Sequence, residues 1–455
     1  MSPFASLPTA PGELPVLGHT IALLRRPLRF LISLPTGGEV VRVRLGRTRI
    51  YVVCTPQLTR HVLQNDQVFD KGGPLFERCA EFLGNGLGTC PHRDHRRQRR
   101  LLQPVFHRAR LPVYAQTMVE QATAVASSWT NGRPTDVLAQ TQTIAARTII
   151  ATALTGANLS NEDVAVLIAD LNTVHRGVLR RMLMPPSMNR LPLFGNPRYD
   201  QARARLHTRL AQVVADYRAA STDHGDMLSA MLALDSTRPG STLSDAEITD
   251  QLVTFAFAGT ETTASLMAWA LYLLAHHPKV QLALQNEVDR VVADAPAANH
   301  HLPHLDLLRR IVTETLRMFP PGFLITRTVT RDTRLGSHAL PAGATVAYSP
   351  YLLHHNPALF PRPEQFDPDR WSSNRGLHSQ NDTLIPFASG PRKCIGDAFA
   401  IIEATLALTE IISRWHLAPA PGSITRPAIG STIFPKGLYL TPTARIPDRS
   451  AGSSR

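Results

Sequence analysis

Cys394 stands in the segment Phe387-Ala388-Ser389-Gly390-Pro391-Arg392-Lys393-Cys394-Ile395-Gly396, a loop directly ahead of a helical pattern that runs from Asp397 to about Trp415. Unpaired backbone N–H groups and the helix dipole at such an N-terminus favour thiolate over thiol. A thiolate is the donor haem iron needs if the O–O bond of dioxygen is to break heterolytically, because it pushes electron density onto the metal. Gly390 and Gly396 let the backbone turn tightly and approach a flat macrocycle. Phe387 is placed to shield the sulfur, and Arg392 to pair with a propionate. A lone cysteine before a helix is more often an inert buried thiol, but the complete frame F-x-x-G-x-R-x-C-x-G makes that reading remote.

A second cluster, Ala258-Gly259-Thr260-Glu261-Thr262-Thr263, interrupts the apolar run Leu252 to Ala275. Gly259 lets the helix come close to a cofactor and leaves room for dioxygen. A threonine hydroxyl can bond back to a carbonyl one turn earlier and distort the helix. An acid followed by a threonine offers a proton relay. Close packing explains Ala258 and Thr263 equally well, but not a carboxylate among apolar turns, which is costly without a task. Farther on, Glu314 and Arg317 are three apart and share a helix face.

These segments resemble the cytochrome P450 family over nearly the whole chain, with the ligand loop matched at every fixed position. The resemblance implies a mainly α fold, a large helical domain with a smaller β-rich region, spanning residues 1–455 as one domain. It implies haem b ligated by Cys394, with Thr262 steadying activated oxygen and Glu261 helping to deliver protons. Glu314 and Arg317 become the structural E-x-x-R pair, completed by Arg370 from Phe366-Asp367-Pro368-Asp369-Arg370-Trp371. The segment from His95 to Phe106 is similar to the helix that clamps the propionates, through His95 and Arg99, with Arg327 and Arg392 alongside.

The spare basic residues Arg96, Arg97, Arg100 and Lys393 are expected to form a docking patch for an acidic ferredoxin served by an NAD(P)H-dependent reductase; a solvated helix face is the alternative. The resemblance places Phe76, Phe82, Leu83, Leu87, Phe255, Ala258, Phe323, Leu324, Ile325, Ile433 and Phe434 around the substrate. They are apolar, which suits selection by shape. The segment around His175 to Pro186, with Met182 and Met184, resembles actinobacterial sesquiterpene hydroxylases, so a terpenoid is the expected substrate; a fatty acid, polyketide or steroid stays open. So do a haem-based sensor and a haem-thiolate isomerase or peroxygenase, although the acid–alcohol pair argues for a monooxygenase.

The elements that must hold these residues follow from pattern and composition. The 455 residues are 43% hydrophobic and 18% charged, an ordinary globular balance. Cys54, Cys79, Cys90 and Cys394 are too scattered for a disulfide framework or a zinc ribbon, so reduced thiols in a cytoplasmic monomer are expected. The N-terminus lacks the apolar run of a signal peptide. Leu252 to Ala275 is long enough to span a membrane, but its polar centre points to a buried helix instead, with no membrane anchor. The net charge of +13 comes without a nucleic-acid-binding signature. Strand alternation at Val40–Leu45 and Arg49–Val53 predicts a hairpin. Lys71 to Pro91 reads as a long adaptable loop. Helices dominate from His95 to about Leu284, with breaks near Pro185-Pro186, Asn189 to Tyr199 and Ser236 to Ser244, and continue through Leu305 to Phe319. Strands come next over Thr326 to Ala347 and again in the tail.

Overall fold

The computed structural model describes residues 7–183, 188–193, 195–233, 242–293, 295–372 and 383–445. Its axis is the helix Asp245–His276, 32 residues long, or about 48 Å at 1.5 Å per residue. Ser244 and Glu247 cap its start reciprocally, satisfying two N–H groups that would otherwise lack partners. From Ile248 to Ala275 most of its residues are buried, so the run is a buried helix, as its polar centre implied. No described helix is long and apolar enough to cross a membrane.

Three long helices surround this axis: Val137–Ala153, Asn161–Leu183 and Asn196–Ala220. Asp397–Arg414 packs across it on the other side. Two apolar clusters join on the central helix, one around Phe82, Phe255 and Leu252, the other around Met267, Leu271 and Leu408. A third cluster lies beneath a five-stranded sheet. The strand order there is Val40–Leu45, Thr48–Val53, Thr345–Tyr348, Ile325–Val329, Phe69–Asp70. The first two pair antiparallel from Val40↔Val53 to Leu45↔Thr48, the predicted hairpin. The tail adds a hairpin of Arg426–Ile429 with Ile433–Lys436, and a strand Tyr439–Ala444 between Thr135–Asp136 and Trp415–Pro419.

One expectation fails for an identifiable reason. The region read as an adaptable loop contains a helix, Pro74–Leu83. Gly73 enters it at φ +86°, Pro74 pre-sets its first turn, and Cys79, Phe82 and Leu83 share its buried side. Beyond Leu83 the backbone is pinned to the central helix. Asn85 N–H donates to Asp250 (2.8 Å), Leu87 N–H donates to Gln251 (2.8 Å), and Gln251 donates to Gln98 (3.1 Å). A Cβ at Gly86 would lie 2.2 Å from the Thr254 hydroxyl, so this glycine marks close approach to the central helix. The break expected near Asn189 to Tyr199 is present but ends sooner, since Asn196–Ala220 is already helical after the turn Met188–Arg190; those expected near Pro185-Pro186 and over most of Ser236 to Ser244 lie outside the described residues.

Candidate haem and oxygen site

Beneath the central helix lies a cavity of about 350 Å³, lined by Thr254, Phe255, Ala258, Gly259, Thr262 and Thr263 above and by Phe387, Arg392, Cys394 and Gly396 below. The ligand loop reaches it by a bend that only certain residues permit. Gly390 has φ +70°, and a Cβ there would lie 2.4 Å from the Leu63 carbonyl oxygen. Ala388 is also left-handed at φ +58°, and Cys394 N–H closes the turn onto the Phe387 carbonyl at 3.0 Å. Gly396 differs, since a Cβ there would meet only Phe106 at 3.7 Å. The protein itself does not demand that glycine.

Of the four cysteines, Cys54, Cys79 and Cys90 are buried, while the Cys394 side chain opens onto the cavity. Surrounding protein pushes the Cys394 thiol up; the Gly396 N–H and Arg99 pull the other way and lose. A coordinated metal deprotonates a thiol outright.

Basic side chains gather along one rim, with no carboxylate among the lining residues. His95, Arg99 and Arg327 all line the cavity. His95 Nδ1 is buried with no partner among the described residues, and burial holds the ring at about 3. Arg327 bonds the Thr326 carbonyl (2.8 Å) and lies over the Tyr348 and Phe76 rings. A fourth group, Lys71, was missed by sequence reading. Its ammonium donates to the Leu87 and Gly88 carbonyls at 3.1 and 2.6 Å. Burial, with Arg327 and Arg392 next in effect, lowers it to about 7. The signal available was the one lysine of a glycine-rich stretch, directly before Gly72 and Gly73.

Arg392 behaves differently from its expected role. Its guanidinium is held by Asp66 (3.0 Å), Asp70 (2.7 Å) and the Cys90 carbonyl (2.9 Å). Its charge is already balanced, so it braces the loop against the Phe69–Asp70 strand. Lys71, Arg99 and Arg327, with the unpartnered His95 nitrogen, are left to receive an anion. Buried uncompensated charge is costly, so this rim suits a flat group bearing carboxylates over a thiolate floor. Haem fits.

On the oxygen side, Thr262 and Glu261 take different partners. Thr262 lines the cavity, its hydroxyl donating to the Ala258 carbonyl at 2.6 Å, the back-bond its position predicted. Glu261 is not among the lining residues; it accepts a hydrogen bond from Ser431 on the tail hairpin and stands 3.8 Å from His175 Nε2. Gly259 lines the cavity, and a Cβ there would meet Ile149 at 3.4 Å.

Of the residues named for the substrate, Phe76, Leu87, Phe255, Ala258 and Ile325 line the cavity. Phe82 and Leu83 instead sit in the helical core. Ile433 is packed with Trp269 and Tyr351, with Phe323 at its edge. Leu324 lies against the sheet cluster, and Phe434 is in the tail hairpin, beside Gly430. Both phenylalanines and β-branched residues look alike in sequence whether they line a cavity or fill a core. Ile149, Phe106 and Phe399 were missed; Phe106 meets Phe255 edge-on at 5.0 Å. Met184 lies outside the described residues, as does the side chain of Met182.

The scaffold pair is fully buried. Arg317 meets Glu314 through two bonds of 2.9 Å, Arg370 approaches Glu314 at 3.4 Å, and Trp371 Nε1 donates to it at 2.8 Å.

The cytochrome P450 profile matches residues 8–442. The chain belongs to the cytochrome P450 family. This cytochrome P450 is 43% identical over 438 residues to cyclooctatin synthase of Streptomyces melanosporofaciens, covering 96% of this chain and 95% of the relative. It is 41% identical to cyclooctat-9-en-7-ol 5-monooxygenase of the same organism, covering 91% and 90%. Pentalenene oxygenase of Streptomyces avermitilis is 40% identical, covering 96% and 98%. A crystal structure of the cytochrome P450DA heme domain superposes with TM-score 0.87 at 26% identity, covering 98% of this chain and 99% of that one. The protein is a cytochrome P450 monooxygenase, of a family that carries haem on a cysteine thiolate.

Proposed function

We propose that this P450 inserts oxygen into a terpenoid, using haem b ligated by Cys394 and electrons from a ferredoxin. The observation that carries the substrate reading is the cavity roof. Phe76, Leu87, Phe255 and Ile325 offer hydrocarbon contact, while the cationic groups lie at the propionate rim. Such a roof selects by shape. The relatives named for pentalenene and cyclooctat-9-en-7-ol support it.

Bound haem supplies oxygen activation by its thiolate-ligated iron. The chain's residues do the rest. Lys71, His95, Arg99 and Arg327 hold the propionates, Phe387 screens the sulfur, and Phe106, Phe255 and Phe399 keep water out. The Thr262 hydroxyl can turn from the Ala258 carbonyl toward the cavity, and Glu261 is the acid that restores its proton.

For the electron donor, Arg96, Arg99, Arg100, His107 and Arg110 surround an open depression of about 760 Å³ that also touches Pro391, ahead of the ligand. Arg97, expected in this patch, turns instead to Glu247 and the Thr242 carbonyl. Lys393 is paired with Asp397 at 2.5 Å. The reading fits an acidic ferredoxin drawn by charge.

The test is purified haem protein with a surrogate ferredoxin and reductase, offered pentalenene, cyclooctat-9-en-7-ol and other cyclic terpenes beside fatty acids, steroids and macrolactones. A terpene should shift the haem spectrum and gain one atom from labelled dioxygen. Turnover of another class alone overturns the terpenoid reading, and product without labelled oxygen overturns the monooxygenation proposed for it.

A further inference from the structure

Glu261 belongs to a row. With Ser265 and Trp269 it occupies i, i+4 and i+8 of the central helix, one face of it. All three meet the turn of the tail hairpin: Ser431 donates to Glu261, Ser265 and Thr432 share a 3.0 Å hydrogen bond, and Trp269 donates to the Ile433 carbonyl at 3.0 Å. Ala258 and Thr262 line the cavity, whereas none of these three residues does.

From the opposite side comes His175, in the helix Asn161–Leu183 and 6% exposed. Its ring stacks on Phe257 with centroids 4.1 Å apart and planes 8° from parallel. Nδ1 is 2.9 Å from the Leu171 carbonyl oxygen and Nε2 is 3.0 Å from the Phe257 carbonyl oxygen. Both partners can only accept. A neutral imidazole has one N–H and would turn a bare lone pair toward the other oxygen; an imidazolium satisfies both. The countercharge is in place, because the Glu261 carboxylate stands 3.8 Å from Nε2.

We propose that His175 is an imidazolium positioning residue that holds Glu261 and restores its proton, while Ser431 parks the carboxylate away from the cavity. This rests on the reading of Glu261 as the acid behind Thr262. Once ring and carboxylate close the 3.8 Å between them, the His175 Nε2–H bond, released from the Phe257 carbonyl, breaks as a carboxyl O–H forms, leaving neutral imidazole and neutral carboxylic acid. Glu261 then breaks that O–H bond in passing the proton inward and returns to carboxylate, and a proton from solvent restores the imidazolium. No electron moves in this exchange.

Two measurements decide it. The first is nitrogen-15 NMR of histidine-labelled, haem-loaded protein as the diamagnetic ferrous carbonyl complex. His175, assigned by its loss in His175→Gln, should show protons on both ring nitrogens and should move in Glu261→Gln. A bare ring nitrogen, or no response to Glu261→Gln, overturns the pairing. The second needs no substrate: the fraction of NADPH electrons recovered as hydrogen peroxide with surrogate redox partners. His175→Gln should raise it severalfold, His175→Lys less, and the double variant with Glu261→Gln no more than the larger single. If Glu261→Gln raises the fraction and His175→Gln does not, the role of His175 fails alone. If Glu261→Gln changes nothing, the acid reading itself fails. Should His175→Gln not retain haem, the response of the His175 signals to Glu261→Gln, with assignment from His175→Lys, still decides the pairing.

Discussion

His354 Nε2 accepts the backbone N–H of Ile385 at 3.0 Å, across 31 residues of sequence. Its Nδ1 donates to the Arg317 carbonyl at 3.2 Å, and Arg317 in turn donates to the His354 carbonyl at 3.0 Å. One neutral ring thus ties the buried Glu314–Arg317 pair to the stretch of chain that leads, two residues later, into Phe387 and the ligand loop. His354→Phe keeps the volume and loses both bonds. We expect the protein to fold with loosened haem retention, seen as a slow loss of the red-shifted carbonyl absorption. Retention equal to wild type would remove His354 from this role.

Burial holds His354 well below the usual histidine value of 6.5 and His355 at about 4. Both are neutral when folded and take up protons below 6.5 when unfolded. The unfolded chain therefore binds more protons in that range. Stability is fully present above pH 6.5 and falls from there toward pH 4, each ring adding a slope of about 1.4 kcal/mol per pH unit. His355→Phe, which keeps the stack on Tyr351, should flatten the decline by one proton's worth in urea unfolding between pH 7 and 5. An unchanged slope would count against it.

Breaking the scaffold pair should be far costlier than breaking a surface ion pair. Glu314 and Arg317 are both 0% exposed, and an orphaned buried charge costs about 3–5 kcal/mol. Glu314→Ala and Arg317→Ala should yield little haem-loaded protein. The exposed pair Arg309–Asp306 is the control, and Arg309→Ala should cost about 1 kcal/mol or less. Comparable losses in both would contradict the assignment.

Gly390→Ala combines a left-handed backbone with a Cβ 2.4 Å from the Leu63 carbonyl. Backbone strain alone costs on the order of 1–3 kcal/mol, and the contact forces the loop away from the helix Pro56–Gln64. Gly132→Ala shares the sign of φ, at +72°, but meets nothing within 4 Å. Haem incorporation should fall in the first and hold in the second.

Phe76 and Phe82 separate cavity from core. Phe82→Ala should lower stability by about 3–5 kcal/mol, since that ring is fully buried. Phe76→Ala should change substrate binding and product pattern with a much smaller shift in melting temperature. On the proximal side, Arg100→Glu should slow reduction by ferredoxin roughly tenfold at low salt, with the difference fading as salt rises.

Cys394, the E-x-x-R pair and the acid–alcohol pair were readable because each sits in a short motif whose spacing resembles the family's: a complete ligand loop ahead of a helix, residues three apart, a carboxylate within an apolar run. The central helix was readable from an apolar run with a polar centre, and the first hairpin from strand alternation. Pairings across the fold were not. Nothing local tells Arg392 that Asp66 and Asp70 will hold it, tells Glu261 that Ser431 and His175 flank it, or separates Phe76 in a cavity wall from Phe82 in the core. Those outcomes depend on which surfaces meet when helices and sheet pack, and burial then sets charge and reach in ways spacing cannot encode.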